Sequence, residues 1–355
     1  MNIERQEILA RATDHVGEMV VMIEKLIQRG HAYVSDDGSV YFRVNSFQEY
    51  GALARLDKEG MKVGARVAQD EYVKESYGDF ALWKAWSAED GEVAWDSPWG
   101  RGRPGWHIEC SAMSQHFLGE QIDIHCGGID LLFPHHENEI AQCECCTGKP
   151  FARMWGHCAH LLVNGQKMSK SEGNLYTVQD VLNRGYTGRE LRYVLLSTHY
   201  RQELNFTWER LEAAKVAVSR IDAWHRRFSS SSVVSDQFSE VSDTFLTNFK
   251  QALASDLNIS MALGHLFDFI RETNGLLDAG KALPELPLVW NQVDAILGLG
   301  EPQVEIPEGV QSLLAKRAEA RKAKNWALSD QLRLQIEQLG WIVRDKGNEQ
   351  EIVKK

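Results

Sequence analysis

Residues that can bind metal ions or phosphate groups are concentrated in the middle of this 355-residue sequence. All six cysteines lie between Cys110 and Cys158, and seven of the twelve histidines lie between His107 and His160. Thiolate and imidazole groups are common zinc ligands. Residues 167–174 follow directly and read KMSKSEGN, with two lysines three positions apart. The sequence therefore predicts a metal site followed by an anion-binding loop.

The best metal-ligand set combines Cys110 with two residues of the segment HHENEIAQ. If a helix begins after Pro134, His135 and Glu139 are one turn apart and share one face of that helix. A thiolate, an imidazole and a carboxylate together can hold zinc. The alternative is an ordinary helix start with a polar first turn beside a buried free cysteine.

Other cysteines give a weaker metal signal. Cys143 and Cys146 have C-x-x-C spacing and could form a second zinc site with Cys158. The alternative interpretation is that Cys143 and Cys146 are buried free thiols in the same helical segment as His135.

The lysine pair of KMSKSEGN has two interpretations. Any surface loop can carry two lysines. Alternatively, two ammonium groups beside hydroxyls and backbone N–H groups can clamp a polyphosphate.

The elements that position these residues change in type along the chain. Residues 12–29 have apolar side chains at helical spacing, and residues 31–44 alternate around an Asp-Gly turn, which predicts a helix and then a β-hairpin. The following stretch, to residue 105, has no long period and predicts an irregular, aromatic-packed insertion. Residues 121–160 alternate between strand and helix patterns, which favours a parallel sheet. Beyond residue 204 the pattern is helical.

Composition narrows the class of protein. The chain is 43% hydrophobic and 25% charged, which is typical of a folded globular protein. Its net charge of −11 argues against binding nucleic acid over its whole surface and leaves room for a local basic patch. The charged N-terminal segment predicts neither a signal peptide nor a membrane span. We therefore expect a cytoplasmic protein with reduced cysteines and no membrane partner.

Several motifs occur in an order that resembles one family, the cysteine–tRNA ligases, which are class I aminoacyl-tRNA synthetases. The resemblance runs from about residue 11 to about residue 345. The motifs are PGWHIECSAM at 104–113, DIHCGGID at 123–130, FPHHENEIAQ at 133–142, KMSKS at 167–171 and STHYR at 197–201.

The resemblance implies part of a Rossmann-type α/β catalytic domain with an insertion, followed by an all-α anticodon-binding region. We expect the connective insertion in residues 1–105, the second half of the catalytic domain with the KMSKS loop in 106–205, and the helical, DALR-like region in 206–355. The expected activity is ATP-dependent activation of L-cysteine and its transfer to tRNA(Cys).

The resemblance also implies roles for individual residues. Zinc ligands in the family are two cysteines, a histidine and a glutamate, and Cys110, His135 and Glu139 match three of them. Trp106 and His125 match residues that line the pocket for substrate cysteine. The residues that match the ATP-binding loop, which works with Mg²⁺, are Lys167, Met168, Ser169, Lys170 and Ser171, and the two lysines are the catalytic ones.

The sequence pattern predicts one long last helix. We expect the basic stretch of this helix to contact tRNA phosphates. Arg321, Lys322 and Lys324 are its central residues, and Leu328, Leu332, Ile336 and Leu339 are expected to form the core face of the same helix.

The fourth zinc ligand and the family's HIGH-type motif have no counterpart in this sequence. We therefore expect an enzyme whose N-terminal part, with the rest of the ATP site, lies on a separate fragment or was lost from this gene sequence. The alternatives are a non-catalytic paralogue that binds tRNA or zinc, and a ligase that joins cysteine to an amino sugar. The long helical tail disfavours the amino-sugar ligase.

Overall fold

The computed structural model of the protein describes residues 1–56, 78–169, 173–228, 238–301, 307–346 and 349–354. The chain forms two compact units. The larger unit contains Met1 and residues Ile3–Gly298, and the smaller unit contains Asn2 and residues Leu299–Lys355. Among the described residues, no helix combines the length and the apolar character that spanning a membrane requires.

The larger unit begins with helix α1, Val16–Gln28, which packs beside an antiparallel sheet. The strands are β1 (Ala32–Val34), β2 (Val40–Phe42), β3 (Phe80–Ala85) and β4 (Gly102–Pro104), in that spatial order. The predicted helix and the predicted hairpin are both confirmed. The hairpin turns at Gly38, whose φ of 87° suits a glycine.

The prediction of an irregular insertion up to residue 105 was wrong for β3 and β4, which extend the hairpin into a four-stranded sheet. In β3, Ala81, Leu82 and Trp83 are all buried, so this strand lacks the alternation by which a half-exposed strand is recognised. Residues 57–77 lie outside the described part of the chain.

A parallel βαβ unit follows, as the sequence predicted. Strand β5 (Ile122–Gly128) pairs in parallel with β6 (Ala152–Cys158). Helix α2, Trp106–Leu118, precedes β5, and helix α3, Glu137–Thr147, connects the two strands. Buried side chains from α1, α2 and α3 share one apolar cluster, which fixes these three helices against each other.

The KMSKSEGN segment, residues 167–174, here termed the lysine loop, begins at the end of a short hairpin. Strands β7 (Leu161–Val163) and β8 (Gln166–Lys167) are joined by Asn164 and Gly165, both with positive φ, as a two-residue hairpin turn requires. Strand β9, Leu204–Phe206, pairs in parallel with β7. Between them lie helices α4 (Val178–Asn183) and α5 (Gly188–Leu196), and each begins with a Thr capping box.

The predicted helical region begins with four helices that belong to the larger unit. They are α6 (Trp208–Arg226), α7 (Glu240–Ala254), α8 (Ile259–Asp278) and α9 (Leu286–Leu297). Trp224 of α6 is central to their packing, because its ring contacts Phe269 and Trp290 and its Nε1 donates a hydrogen bond to Thr273 at 2.9 Å.

The smaller unit corrects the prediction of one long basic helix. Helices α10 (Glu308–Lys322) and α11 (Trp326–Gln338) are separated at Lys324, which has a φ of 56°, and Asn325 caps the second helix. A hairpin of β10 (Trp341–Lys346) and β11 (Glu349–Lys354) ends the chain.

The helix break also changes which side chains of this unit are buried. Leu332 and Ile336 are buried as predicted, whereas Leu328 and Leu339 are exposed. Arg317 is only 1% exposed and donates two hydrogen bonds to Asp345, at 2.9 and 3.0 Å. Arg321 contacts the same carboxylate at 2.9 Å, so Lys322 and Lys324 are the exposed cations of this stretch.

Candidate active site

The three residues predicted as zinc ligands lie together. Cys110 is in α2, His135 is in the turn before α3, and Glu139 is in the first turns of α3. One ligand atom from each of the three lies within 4.8 Å of those of the other two. His135 Nε2 is 3.6 Å from Glu139 Oε2, as their separation by one helical turn predicts. The fold therefore directs a thiol, an imidazole and a carboxylate at one point.

The environment of Glu139 favours a cation at this point. Glu139 is fully buried, and its Oε2 lies 3.0 Å from His125 Nε2. Its other oxygen, Oε1, has no hydrogen-bond partner among the described residues. A buried carboxylate oxygen without a partner is costly, and a metal ion would supply the missing interaction. The donor set and this unsatisfied oxygen fit a zinc ion.

Burial sets the protonation of two of the candidate ligands. It raises the pKa of the Cys110 thiol to about 12, with Glu139 and Glu109 adding to the effect. It lowers the pKa of His135 below the usual range, against the opposing effect of Glu139. At neutral pH His135 is therefore ready to bind a metal as neutral imidazole, whereas Cys110 has to lose a proton.

We expect zinc binding at this site to strengthen by about tenfold for each unit of rising pH between pH 6 and pH 8. The raised thiol pKa means that binding releases about one proton, so lower proton concentration favours the bound state. Isothermal titration in buffers of different ionisation enthalpy would measure both the affinity and the number of protons released. An affinity that does not change over this pH range would contradict coordination by Cys110.

A second layer of contacts orients the candidate ligands. His107 Nδ1 lies 2.9 Å from His135 Nδ1, which leaves the Nε2 of His135 facing Glu139. Gln142 donates hydrogen bonds to Ser111 Oγ at 2.9 Å and to the carbonyl oxygen of His107 at 3.1 Å, joining α2 to α3. Such partners fix the orientation of metal-binding imidazoles. Sequence reasoning missed His107 and Gln142, although the i,i+3 spacing of His107 and Cys110 was a signal.

His136 contacts both Glu139 and strand β6. Its Nδ1 is 2.8 Å from His157 Nε2, and its Nε2 is 3.8 Å from Glu139 Oε2. Burial first, and the neighbouring histidines next, lower the pKa of His136 to about 3. Gly127 of β5 permits this packing, because a Cβ there would lie 2.8 Å from His136 Cε1. His136 is therefore a neutral, buried contact of Glu139.

The two residues expected to line the cysteine pocket border the candidate ligands. The ring of Trp106 is 4.4 Å from that of His135, yet Trp106 is 58% exposed. His125 projects from β5 and contacts Trp155, with ring centroids 5.0 Å apart. Trp106 is thus an exposed wall beside the candidate ligands and not a core aromatic.

The remaining cysteines do not form a second centre in the part of the chain that the structure describes. Cys143, Cys145 and Cys146 are buried free thiols, and Cys126 and Cys158 are exposed. The described groups with metal-ligand geometry contain Cys110 as their only cysteine.

The stem of the lysine loop is held by an asparagine that sequence reasoning did not single out. Ser169 N donates to Asn174 Oδ1 at 2.8 Å, and Asn174 Nδ2 donates to the carbonyl oxygen of Lys167 at 3.1 Å. Lys167 is exposed, and Met168 packs against an apolar cluster. Lys170 and Ser171 lie outside the described residues. Asn174 therefore joins the two ends of the loop.

Three family models match the chain in sequence order. Residues 1–216 match the class I (C) tRNA synthetase catalytic domain, residues 248–299 match the DALR domain, and residues 303–352 match the cysteinyl-tRNA ligase anticodon-binding domain. The first of these models alone matches more than half of the chain.

Individual proteins give the same result. The cysteine–tRNA ligase of Protochlamydia amoebophila (strain UWE25) is 47% identical over 97% of this chain and 75% of its own length. The cysteine–tRNA ligase of Chlamydia pneumoniae is 45% identical over the same shares. The structure of Mycobacterium tuberculosis methionyl-tRNA synthetase with methionyl-adenylate has a TM-score of 0.53 at 13% identity, covers 82% of this chain and 71% of its own, and shows the shared fold. The chain belongs to the cysteine–tRNA ligase family of class I aminoacyl-tRNA synthetases.

Proposed function

We propose that this chain carries the cysteine-recognition site and the lysine loop of an enzyme that activates L-cysteine with ATP and transfers it to tRNA(Cys). Relatives at 47% and 45% identity are named as cysteine–tRNA ligases. The observation that carries the proposal is the convergence of Cys110, His135 and Glu139 within 4.8 Å in a chain of this family.

The proposed site has to distinguish cysteine from amino acids of similar size. Serine and alanine fit any pocket that admits cysteine, and packing alone separates such near-isosteres by only about 1–3 kcal/mol. Zinc at this position would supply a Lewis acid that binds a thiolate far better than an alcohol. Cys110, His135 and Glu139 would hold it, and His107 would orient His135.

Other residues of the site would shape the substrate pocket. We propose that exposed Trp106 covers the substrate beside His135. His125, hydrogen-bonded to Glu139, would keep that carboxylate directed at the ligand cluster. The neutral, buried imidazole of His136 would add no competing positive charge.

The lysine loop would bind ATP, with Mg²⁺ on the phosphates. Lys167 and Lys170 would stabilise the negative charge that develops on the leaving pyrophosphate, and the backbone of Met168, Ser169 and Ser171 would line the phosphates. Asn174 would set the width of the loop by joining Ser169 to Lys167.

Binding of tRNA would use the basic stretch of the smaller unit. Arg321 is already paired with Asp345, so Lys322 and Lys324 are the residues proposed to meet the phosphates. The division into residues 1–105, 106–205 and 206–355 remains a proposal. A cytoplasmic location is also proposed, and it agrees with six cysteines that are all free thiols.

The test is cysteine-dependent exchange between ATP and pyrophosphate, measured with a fragment that supplies the family's HIGH-type motif and with serine as the competing amino acid. Cysteine should support exchange, and serine at the same concentration should give less by more than the roughly 200-fold that packing alone provides. Removal of zinc with a chelator should reduce the cysteine reaction and its selectivity together. Binding of tRNA without exchange would instead favour a non-catalytic paralogue.

A further inference from the structure

We propose that His15, Glu18 and His116 form a second metal site, here termed the helix-crossing site, that takes a first-row divalent cation such as Zn²⁺. His15 immediately precedes α1, Glu18 is in its first turn, and His116 is near the end of α2. One ligand atom from each residue lies within 4.8 Å of the other two. Two imidazoles and a carboxylate are ligands that such cations accept.

The distances suit coordination. His15 Nδ1 and His116 Nδ1 both point at the same carboxylate oxygen, Glu18 Oε1, at 3.2 and 3.4 Å. Two ligands of a tetrahedral zinc ion, each at about 2.0–2.1 Å from the metal, lie about 3.3 Å apart. These two separations therefore already match the edges of a zinc coordination tetrahedron.

Packing holds the two imidazoles in place. The rings of His15 and His116 are 5.1 Å apart, and each makes an edge contact with Phe117, at 5.0 and 4.7 Å. Beneath them, Val16 and Met19 of α1 share an apolar cluster with Ala112 of α2. A site whose ligands are positioned by a packed interface loses little conformational entropy on binding.

The helix-crossing site is open to solvent on one side. The side chains of His15, Glu18 and His116 are 13%, 37% and 45% exposed. A cation can therefore enter from water, and water molecules can complete its coordination. The site contains no thiol, so its affinity does not depend on the oxidation state of a cysteine.

The helix-crossing site is separate from the one at Cys110. It shares no residue with that site. His116 lies six residues after Cys110 in α2, which is about 9 Å along the helix axis and on a different face. A cation bound here would join α1 to the helix that carries Cys110 and Trp106, and would raise the thermal stability of that helix pair.

The test is to count zinc ions bound per chain by equilibrium dialysis at about 10 µM free Zn²⁺, where a site with a Kd of about 1 µM is about nine-tenths filled. His116→Asn and Glu18→Gln should each bind one zinc ion fewer than the wild type. His265→Asn removes an imidazole from α8, outside every described metal-ligand group, and should bind as many as the wild type.

Cobalt substitution distinguishes the two sites. In His116→Asn, the absorption from thiolate-to-cobalt charge transfer should persist, because only the Cys110 site contains a thiolate. In cobalt-substituted Cys110→Ser this absorption should be lost. In equilibrium dialysis the same variant should still bind one zinc ion. A melting curve of His116→Asn that matches the metal-free wild type would establish that the variant folds. An unchanged zinc count in folded His116→Asn would overturn the proposal, leaving Glu18 as a hydrogen-bond acceptor for the two histidines.

Discussion

Replacing Cys110 with serine should weaken zinc binding at the candidate active site by more than about 100-fold. A loss of about 100-fold is the upper end of what is usual when a residue that only contacts a metal ligand is replaced, and Cys110 is expected to be a ligand itself. A serine hydroxyl keeps its proton at neutral pH and is a poor zinc ligand, whereas a thiol can be deprotonated by the metal. The KM for cysteine in pyrophosphate exchange should rise sharply, and the KM for ATP should stay near the wild-type value. Zinc titration and exchange kinetics would measure both effects.

Cys158→Ser provides the matched control, because Cys158 is an exposed free thiol in β6 that belongs to no described metal-ligand group. This variant should keep both zinc affinity and the KM for cysteine. If Cys110→Ser also kept both, the thiol of Cys110 would have no part in cysteine recognition.

Replacing Lys170 with alanine should lower the kcat of pyrophosphate exchange by about 100- to 1000-fold. The removed ammonium group is expected to interact with charge that develops only as pyrophosphate leaves, so the loss falls on kcat. The KM for cysteine should be unchanged, because we propose that zinc held by Cys110, His135 and Glu139, and not the lysine loop, binds the thiol. Steady-state exchange kinetics at varied cysteine and ATP concentrations would separate these effects.

Lys149→Ala is a suitable control for the lost charge. Lys149 is exposed and forms an ion pair with Glu120 on the surface, a type of contact worth little. It should exchange pyrophosphate at the wild-type rate. A wild-type kcat in Lys170→Ala would remove the lysine loop from the proposed mechanism.

The core of the candidate site could be predicted because its geometry is local. His135 and Glu139 are one turn apart, so a helical pattern alone places them on one face. The parallel pairing of β5 and β6 was likewise predictable, since apolar runs alternating with a helical segment indicate a βαβ unit. Cys110 precedes His135 by 25 residues, and it was predicted to lie beside them because its motif resembles that of the cysteine–tRNA ligases.

Most of the remaining features depend on contacts between distant segments, and one depends on an unusual local backbone conformation. His107 reaches His135 only because α2 packs on α3, and His157 reaches His136 only because β6 lies beside β5. The break between α10 and α11 depends on the positive φ of Lys324, a conformation for which lysine carries no sequence signal. The burial of Arg317 could not be predicted, because its partner Asp345 lies 28 residues further along the chain.

The central claim is that a metal held by Cys110, His135 and Glu139 recognises the substrate cysteine by binding its thiol. X-ray absorption at the zinc edge, recorded with and without L-cysteine, tests it most directly. A Cys110→Ser, His116→Asn double variant gives the background signal of any other zinc. We predict that L-cysteine adds one sulfur ligand at about 2.3 Å to the zinc of the active site and that L-serine adds none. A sulfur count that is unchanged by saturating L-cysteine would contradict the claim.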